Sequence, residues 1–360
     1  MKKIINIDYI NKKEKELVKK FISSKNTKKY ILGINKLTKS VLKHIEVNGI
    51  IDDFTRVQSS RKKDILNIKD IPKDSIILWT SSGSPLEVKN FLDTNDYTHI
   101  SYLAFYKYSS LNLAPPPFIL DFKDDYKNNI SKYKEVFDLL NDNKSKEVFT
   151  KIINFKISFD YNFMQGFTNN FDEQYFDEDL IPDIKNIVFL DGGGYVGDTL
   201  PNIIKNFPSY KKIYLIEPNH LHINIAKRNF LDYKNIKFIE CGLSNKKVIK
   251  EESNTNTNNC NHDYEAQNLN TIDNIIGKNK VDFIKLDIEG AEQDALNGAI
   301  KTIKEQSPIL AICVYHKAQD WYKVPKIVLN INSNYDIYLR HYMEGIYETV
   351  MYFIPKNKYS

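Results

Sequence analysis

Apolar and polar positions fall into two ordered series along the chain. Between about residues 28 and 105, short apolar runs alternate with stretches of helical spacing. Lys29–Gly33 reads as a strand entering a turn, Thr38–His44 as a short helix, and Val47–Asp53 as a second strand that ends on acids. Ser75–Thr80 is a third strand, followed by a Ser/Gly turn and a helix from Pro85 to Leu92, and Tyr97–Phe105 supplies a fourth. Strands separated by helices predict parallel βαβ units, so residues 1–112 are expected to form a small Rossmann-like α/β domain. Its first turn, Gly33–Thr38, keeps one glycine where a pyrophosphate needs two or three. That loss favours a structural, substrate-presenting or oligomerising role over a retained nucleotide site. Leu113–Phe118 then carries three consecutive prolines and is stiff. Tyr133, Val136, Phe137 and Leu140 follow at three- and four-residue intervals, the spacing of an amphipathic helix. Residues 113–169 therefore read as a linker with bridging helices.

The second series, residues 170–360, is longer. Four apolar residues, Ile187–Leu190, make a buried strand that ends on Asp191. Lys212–Glu217 is the next strand, then come a helix over Asn219–Phe230 and a strand over Ile236–Glu240. Val281–Asp287, a helix through Ala295, and Ile309–Val314 continue the alternation. Tyr335–His341 and Glu348–Ile354 face each other across Met343–Gly345 as an antiparallel pair. Dinucleotide-binding sheets end on another parallel strand, whereas a reversed last strand marks the seven-stranded Rossmann-like sheet of methyltransferases. Between them, Ser244–Asn268 is polar and of low complexity, a mobile insertion able to act as a lid.

Composition narrows the class. The 360 residues are 42% hydrophobic, enough for two cores. No apolar run approaches the ~20 residues of a membrane span. The first residues lack a signal peptide's apolar stretch, which predicts a cytoplasmic protein. A net charge of +5 is spread as lysines among acids, with no nucleic-acid motif, so no nucleic-acid partner is expected. Cys241, Cys260 and Cys313 show no C-x-x-C spacing, and neither a disulfide framework nor a zinc cluster is expected.

Candidate chemistry gathers at strand ends. The loop after Asp191 fits two templates at once. Gly192, Gly194 and Gly197 satisfy dinucleotide spacing, while Asp191, Gly193 and Gly197 satisfy the acid-x-G-x-x-x-G spacing of S-adenosylmethionine enzymes. Asp198 and Thr199 are placed to start the following helix. Glu217, ending the next strand, can accept both ribose hydroxyls, as NAD and S-adenosylmethionine enzymes alike require. Asp287 ends an apolar strand at the edge where open α/β sheets bind ligands, and Glu289 sits on the same turn. Two such acids can orient a hydroxyl, act as base or hold a divalent cation; no metal is otherwise indicated. Glu292 reads as a helix-start acid. His316, ending the fifth strand, titrates near neutrality and can take a proton from a hydroxyl. Arg340 and His341 end the sixth strand, where they can hold an anionic or polyhydroxyl acceptor, and Leu243 and Ser244 are placed near an adenine.

The residues from about Gln174 to Lys356 resemble the FkbM family of S-adenosylmethionine-dependent methyltransferases. The resemblance rests on Gln174–Asp177, the loop Leu190–Thr199, Ile216–Asn219, Gly242–Ser244, Thr271–Asp273, Lys285–Glu292, Cys313–Lys317, Arg340–Tyr342 and Glu348–Tyr352. It implies O-methylation, commonly of sugars in surface polysaccharides or of natural products. It assigns Asp191, Gly193, Gly197, Asp198, Thr199, Glu217, Pro218 and Asn219 to the cofactor. Asp287 falls on the catalytic edge, with His316 and Glu289 beside it, and Tyr175, Tyr195, Arg340 and His341 on the acceptor side. The acceptor implied is a carbohydrate or nucleotide-sugar. Gly194 departs from the Ala or Asn that many members carry there. Two other classes stay open from residues alone: an NAD-dependent nucleotide-sugar oxidoreductase, which lacks a convincing Tyr-x-x-x-Lys pair, and a non-catalytic glycan-assembly module.

Overall fold

A computed structural model describes residues 4–52, 65–249, 268–356 and 358. The chain packs as two compact units, each assembled from separated segments. Met1–Asn128, Glu147–Asn169 and Tyr342–Tyr347 form the first; Asn129–Lys146, Asn170–His341 and Glu348–Ser360 form the second. The stretch 113–169, expected as a connector, is thus shared out. The reason is packing: Tyr133 donates its hydroxyl to the Ala318 carbonyl in the second unit, whereas in the first Tyr161 packs between Trp79 and Phe155.

In the first unit, β1 (Lys29–Leu32), β2 (Gly49–Ile51), β3 (Ile65–Leu66), β4 (Ile76–Trp79) and β5 (Thr98–Ser101) form a parallel sheet of order β3-β2-β1-β4-β5. Two expectations need correction. The strand predicted over Tyr97–Phe105 stops at Ser101, whose hydroxyl accepts from the Ala104 N–H and starts the helix Tyr102–Tyr108. The two-residue β3 is too short to show a period in sequence. Asp53, the second acid expected after β2, lies outside the described residues. The crevice beside Gly33 is filled from within: Thr38 Oγ1 lies 3.0 Å from Thr80 Oγ1, and Asn35 caps the helix Lys36–Leu42. The helix Pro85–Thr94 receives a carboxylate at its amino end, where the Leu86 and Glu87 N–H groups donate to Glu344 at 2.8 and 3.0 Å. A phosphate would take such a position in a nucleotide-binding relative of this topology.

In the second unit, β6 (Val188–Gly192), β7 (Lys212–Ile216), β8 (Ile236–Ile239), a short parallel pair β9 (Gly242–Leu243) with β10 (Leu269–Asn270), β11 (Phe283–Leu286), β12 (Ile309–Cys313), β13 (Tyr335–His341) and β14 (Thr349–Pro355) are formed. The main sheet has seven strands in the order β13-β14-β12-β11-β6-β7-β8. Only β14 is reversed, pairing antiparallel with both β12 and β13, as the sequence pattern predicted for the last strand. The central strands are buried throughout and, apart from Asp191 and Lys285, apolar, as expected for a parallel sheet covered on both faces, and Phe189 stacks on Phe283 at 4.6 Å. Most of the polar insertion, including Cys260, lies outside the described residues. Among the described residues no helix is long and apolar enough to cross a membrane.

Candidate active site

Parallel register builds the site from the sheet outward. Pairing of β6 with β11 sets Asp191 opposite Lys285 and Gly192 opposite Leu286. Lys285 Nζ lies 2.9 Å from Asp191 Oδ1, with side chains 3% and 0% exposed, and also donates to the Gly193 carbonyl at 2.9 Å. Burial raises the Asp191 carboxyl above its ordinary value against the pull of Lys285. Burial works against the Lys285 charge, but Asp191 and Asp287 outweigh it and hold the ammonium. Asp191 therefore faces the sheet interior and fixes the glycine loop from beneath; it does not reach outward to grip a nucleoside. Lys285 escaped sequence reading, although a charge inside a doubly covered parallel strand is itself a signal.

Two glycines of the loop are compulsory for different reasons. A Cβ on Gly193, at φ +77°, would lie 1.8 Å from the Asp287 carbonyl oxygen, so this glycine lets the cradle touch the tip of β11. A Cβ on Gly197, at φ +85°, would meet the Phe230 ring at 2.7 Å. Thr199 is the N-cap of the helix Leu200–Asn206 without a side-chain capping bond, and Asp198 is exposed. Across the loop, Glu217 is 7% exposed and accepts from the Tyr195 N–H at 3.1 Å and the Asn219 N–H at 2.9 Å. A strand-end acid held by two backbone donors is rigid and keeps lone pairs for ligand hydroxyls. Asn219 caps the helix His220–Asn229 through the Leu221 and His222 N–H groups, and Pro218 precedes it. Tyr195 is half-exposed and packs edge-on against His222 at 4.4 Å. Leu243 and Ser244 are buried, and a Cβ on Gly192 would touch Leu243 at 2.8 Å.

At the tip of β11, Asp287 is the centre of a polar cluster. The Tyr175 hydroxyl donates to its Oδ2 at 3.1 Å and the Tyr315 hydroxyl to its Oδ1 at 3.0 Å. His316 Nε2 lies 3.4 Å from Oδ1 and 3.7 Å from Glu289, while its Nδ1 lies 3.0 Å from Glu292. Burial alone would lower the His316 pKa; Glu292 foremost, with Asp287 and Glu289, reverses that and raises it. These carboxylates therefore favour the protonated form of His316 more than an isolated histidine would. Burial raises Glu289 too, opposed by His316. Glu289, at φ +56°, keeps a side chain 63% exposed.

Glu292 is more than a helix-start acid. It is fully buried and accepts from the Ile288 N–H at 3.0 Å and the Gly290 N–H at 3.3 Å, shaping the turn that carries Asp287. Donor atoms of Asp287, Glu292 and His316 lie within 4.8 Å of one another, as do those of Asp287, Cys313 and Glu348, and Glu289 is in neither group. In the first of these groups, protein partners already engage the imidazole and Asp287.

Arg340 corrects another expectation. Its guanidinium donates to Asp177 at 2.7 Å, Asp142 at 2.8 Å, Ser145 at 2.9 Å and the Leu339 carbonyl at 3.0 Å, with a side chain 3% exposed. It ties segments of the unit together and is closed off from an acceptor by burial. His341 likewise pairs through Nδ1 with Thr349 at 2.9 Å, across the β13–β14 ladder. Tyr175, at φ +70°, does belong to the site: its ring underlies Lys285 Nζ at 5.3 Å, and burial first, then Asp287, raises its phenol pKa.

Residues 182–342 match the family described as the methyltransferase FkbM domain. The crystal structure of an FkbM methyltransferase from Methylobacillus flagellatus KT is similar over 96% of this chain and 94% of its own, with a TM-score of 0.74 at 21% identity. That likeness is one of fold. Fibrillarin from Aeropyrum pernix, solved with natively bound S-adenosyl-L-methionine, is more distant: 12% identity, 48% of this chain, 69% of its own and a TM-score of 0.34. No curated protein sequence matches the chain.

Proposed function

Since residues 182–342 carry an FkbM methyltransferase domain, we propose that this S-adenosylmethionine-dependent methyltransferase methylates a sugar hydroxyl, in surface polysaccharide or glycan assembly. The nicotinamide alternative falls with the domain assignment and with the reversed β14. Fit to the cofactor rests on the cradle. Gly193 brings the loop against the β11 tip, and the Glu217 carboxylate stands at the neighbouring strand end. Bound there, S-adenosylmethionine supplies an electrophilic methyl group on a sulfonium. Asp191 and Lys285 hold the loop, Glu217 accepts ribose hydroxyls, and Leu243 and Ser244 supply the wall for the base.

The observation that carries the acceptor reading is the Asp287 cluster. A carboxylate 22% exposed, ringed by Tyr175, Tyr315 and His316, offers acceptors and aromatic faces to a neutral polyhydroxyl ligand. Asp287 orients the reacting hydroxyl, and His316 steadies its charge while Glu292 holds the imidazole. Alignment of acceptor and donor should supply much of the rate. The test is transfer from methyl-labelled S-adenosylmethionine to a panel of nucleotide-sugars and glycans. Sugar methylation is expected, and Asp287→Asn should lower turnover ~10²–10⁴-fold with S-adenosylhomocysteine affinity intact. Methylation confined to non-sugar acceptors, or wild-type turnover in Asp287→Asn, would reject the assignment.

A further inference from the structure

The reversal of β14 brings an additional acid to the reacting edge. A parallel strand delivers its last residue there; an antiparallel one delivers the residue before its first. Val350 pairs with Cys313, the last residue of β12, and the Val314 N–H donates to the Thr349 carbonyl at 3.0 Å. Glu348 therefore stands just beyond the end of β12, beside Asp287. Carboxylate oxygens of both and the Cys313 sulfur lie within 4.8 Å of one another. Glu348 holds this place at φ +64°, as Tyr175 does at φ +70°. Left-handed backbone at a non-glycine residue costs ~1–3 kcal/mol and persists where the surroundings enforce it, commonly at functional sites. The Gln174 amide donates to Glu348 and to the Tyr175 hydroxyl, fixing both side chains.

We propose that Glu348 is the base that takes the acceptor hydroxyl's proton while Asp287 orients that hydroxyl, a role that rests on the hydroxyl-methylation reading above. Its rivals are less suited. Asp287 receives a phenol on each oxygen, so both of its oxygens are already engaged by protein donors. His316 is held toward the imidazolium by Glu292. Glu348 faces Asp287, Lys285, His316, Cys313, Tyr175 and Tyr315. Burial first and Asp287 second push its carboxyl up to about 7, against Gln174, Lys285 and His316. A base with a pKa near working pH combines availability with driving force. In the transfer, the acceptor O–H bond breaks with its proton passing to a Glu348 carboxylate oxygen. The oxygen's electron pair makes the new carbon–oxygen bond, and the donor's carbon–sulfur pair stays on sulfur.

The test compares wild type with Glu348→Gln and Glu348→Asp, each loaded with S-adenosylhomocysteine, by two readouts. Infrared titration should show a carboxyl with a midpoint near 7 in wild type that vanishes in Glu348→Gln. With a sugar from the panel, Glu348→Gln should lose ~10²–10⁴-fold in kcat and its acidic limb in the pH profile. KM for S-adenosylmethionine should stay unchanged, and Glu348→Asp should recover part of the rate with a displaced limb. Persistence of the titrating carboxyl, or of the acidic limb, in Glu348→Gln overturns the proposal. If every sugar is refused while the infrared signal maps to Glu348, the acceptor reading fails and the placement of the proton holder stands. If sugars are methylated equally by Glu348→Gln, the reverse holds.

Discussion

Replacing Lys285 by methionine removes an ammonium from a pair sealed off from water. Asp191 is fully buried, its partner lies 2.9 Å away, and the Gly193 carbonyl depends on the same nitrogen. Two buried charges that neutralise each other contribute little net stability. One left alone is costly, about 3–5 kcal/mol. Against the ~5–15 kcal/mol that typically holds a domain folded, that is a large share. Lys285→Met should therefore lose about 3–5 kcal/mol, whereas Asp191→Leu/Lys285→Met should recover most of it, since packed aliphatic groups often replace a buried pair without loss. The double variant still leaves the Gly193 carbonyl without its donor, a residual cost of about 1–2 kcal/mol. A recovery of about 2–3 kcal/mol on going from Lys285→Met to the double variant is the signature. The chain has two tryptophans, Trp79 in the first unit and the fully buried Trp321 in the second. Urea unfolding followed by fluorescence in a Trp79→Phe background thus reports the second unit alone. A loss below about 1 kcal/mol in Lys285→Met, or no recovery in the double variant, would refute the reasoning.

Three further outcomes follow from the same geometry. Gly193→Ala places a methyl 1.8 Å from the Asp287 carbonyl at φ +77°, so S-adenosylhomocysteine binding by calorimetry should be abolished; retained affinity would mean the loop yields freely. Arg340→Leu leaves the buried Asp177 with only the longer Lys144 pair at 3.4 Å and should cost about 3 kcal/mol in stability while leaving acceptor KM unchanged in folded enzyme. A KM effect without a stability effect would restore Arg340 to the acceptor site. The raised His316 pKa gives a signed pH dependence. Its stabilisation is fully present below the ordinary histidine value of about 6.5 and is lost as pH rises through the higher folded value. As pH rises above about 6.5, the urea midpoint should fall more in wild type than in His316→Asn, and parallel slopes would dismiss the imidazolium.

Much of this was legible in sequence because it depends on neighbours along the chain. Apolar runs that end on an acid or a glycine turn marked β6, β7 and β11, and the gap at Met343–Gly345 marked the antiparallel pair. Glu217 and Asp287 were found because strand ends of parallel sheets converge on one edge whatever the tertiary detail. The Tyr97–Phe105 stretch was misread because one serine cap, and not the apolar period, decides where β5 yields to a helix.

What only tertiary structure decided is which polar groups face one another. Register set Lys285 against Asp191 and so turned an apparent ligand contact into an internal strut. Arg340 looked free at a strand end until Asp142 and Asp177, from distant segments, closed on it. Glu292 and Glu348 carry no local signal that separates them from surface acids. Their character comes from burial beside other charges, and the strand order that produces it brings together residues far apart in the chain. Local sequence fixes where a side chain leaves the backbone; only the packed sheet fixes what it meets there.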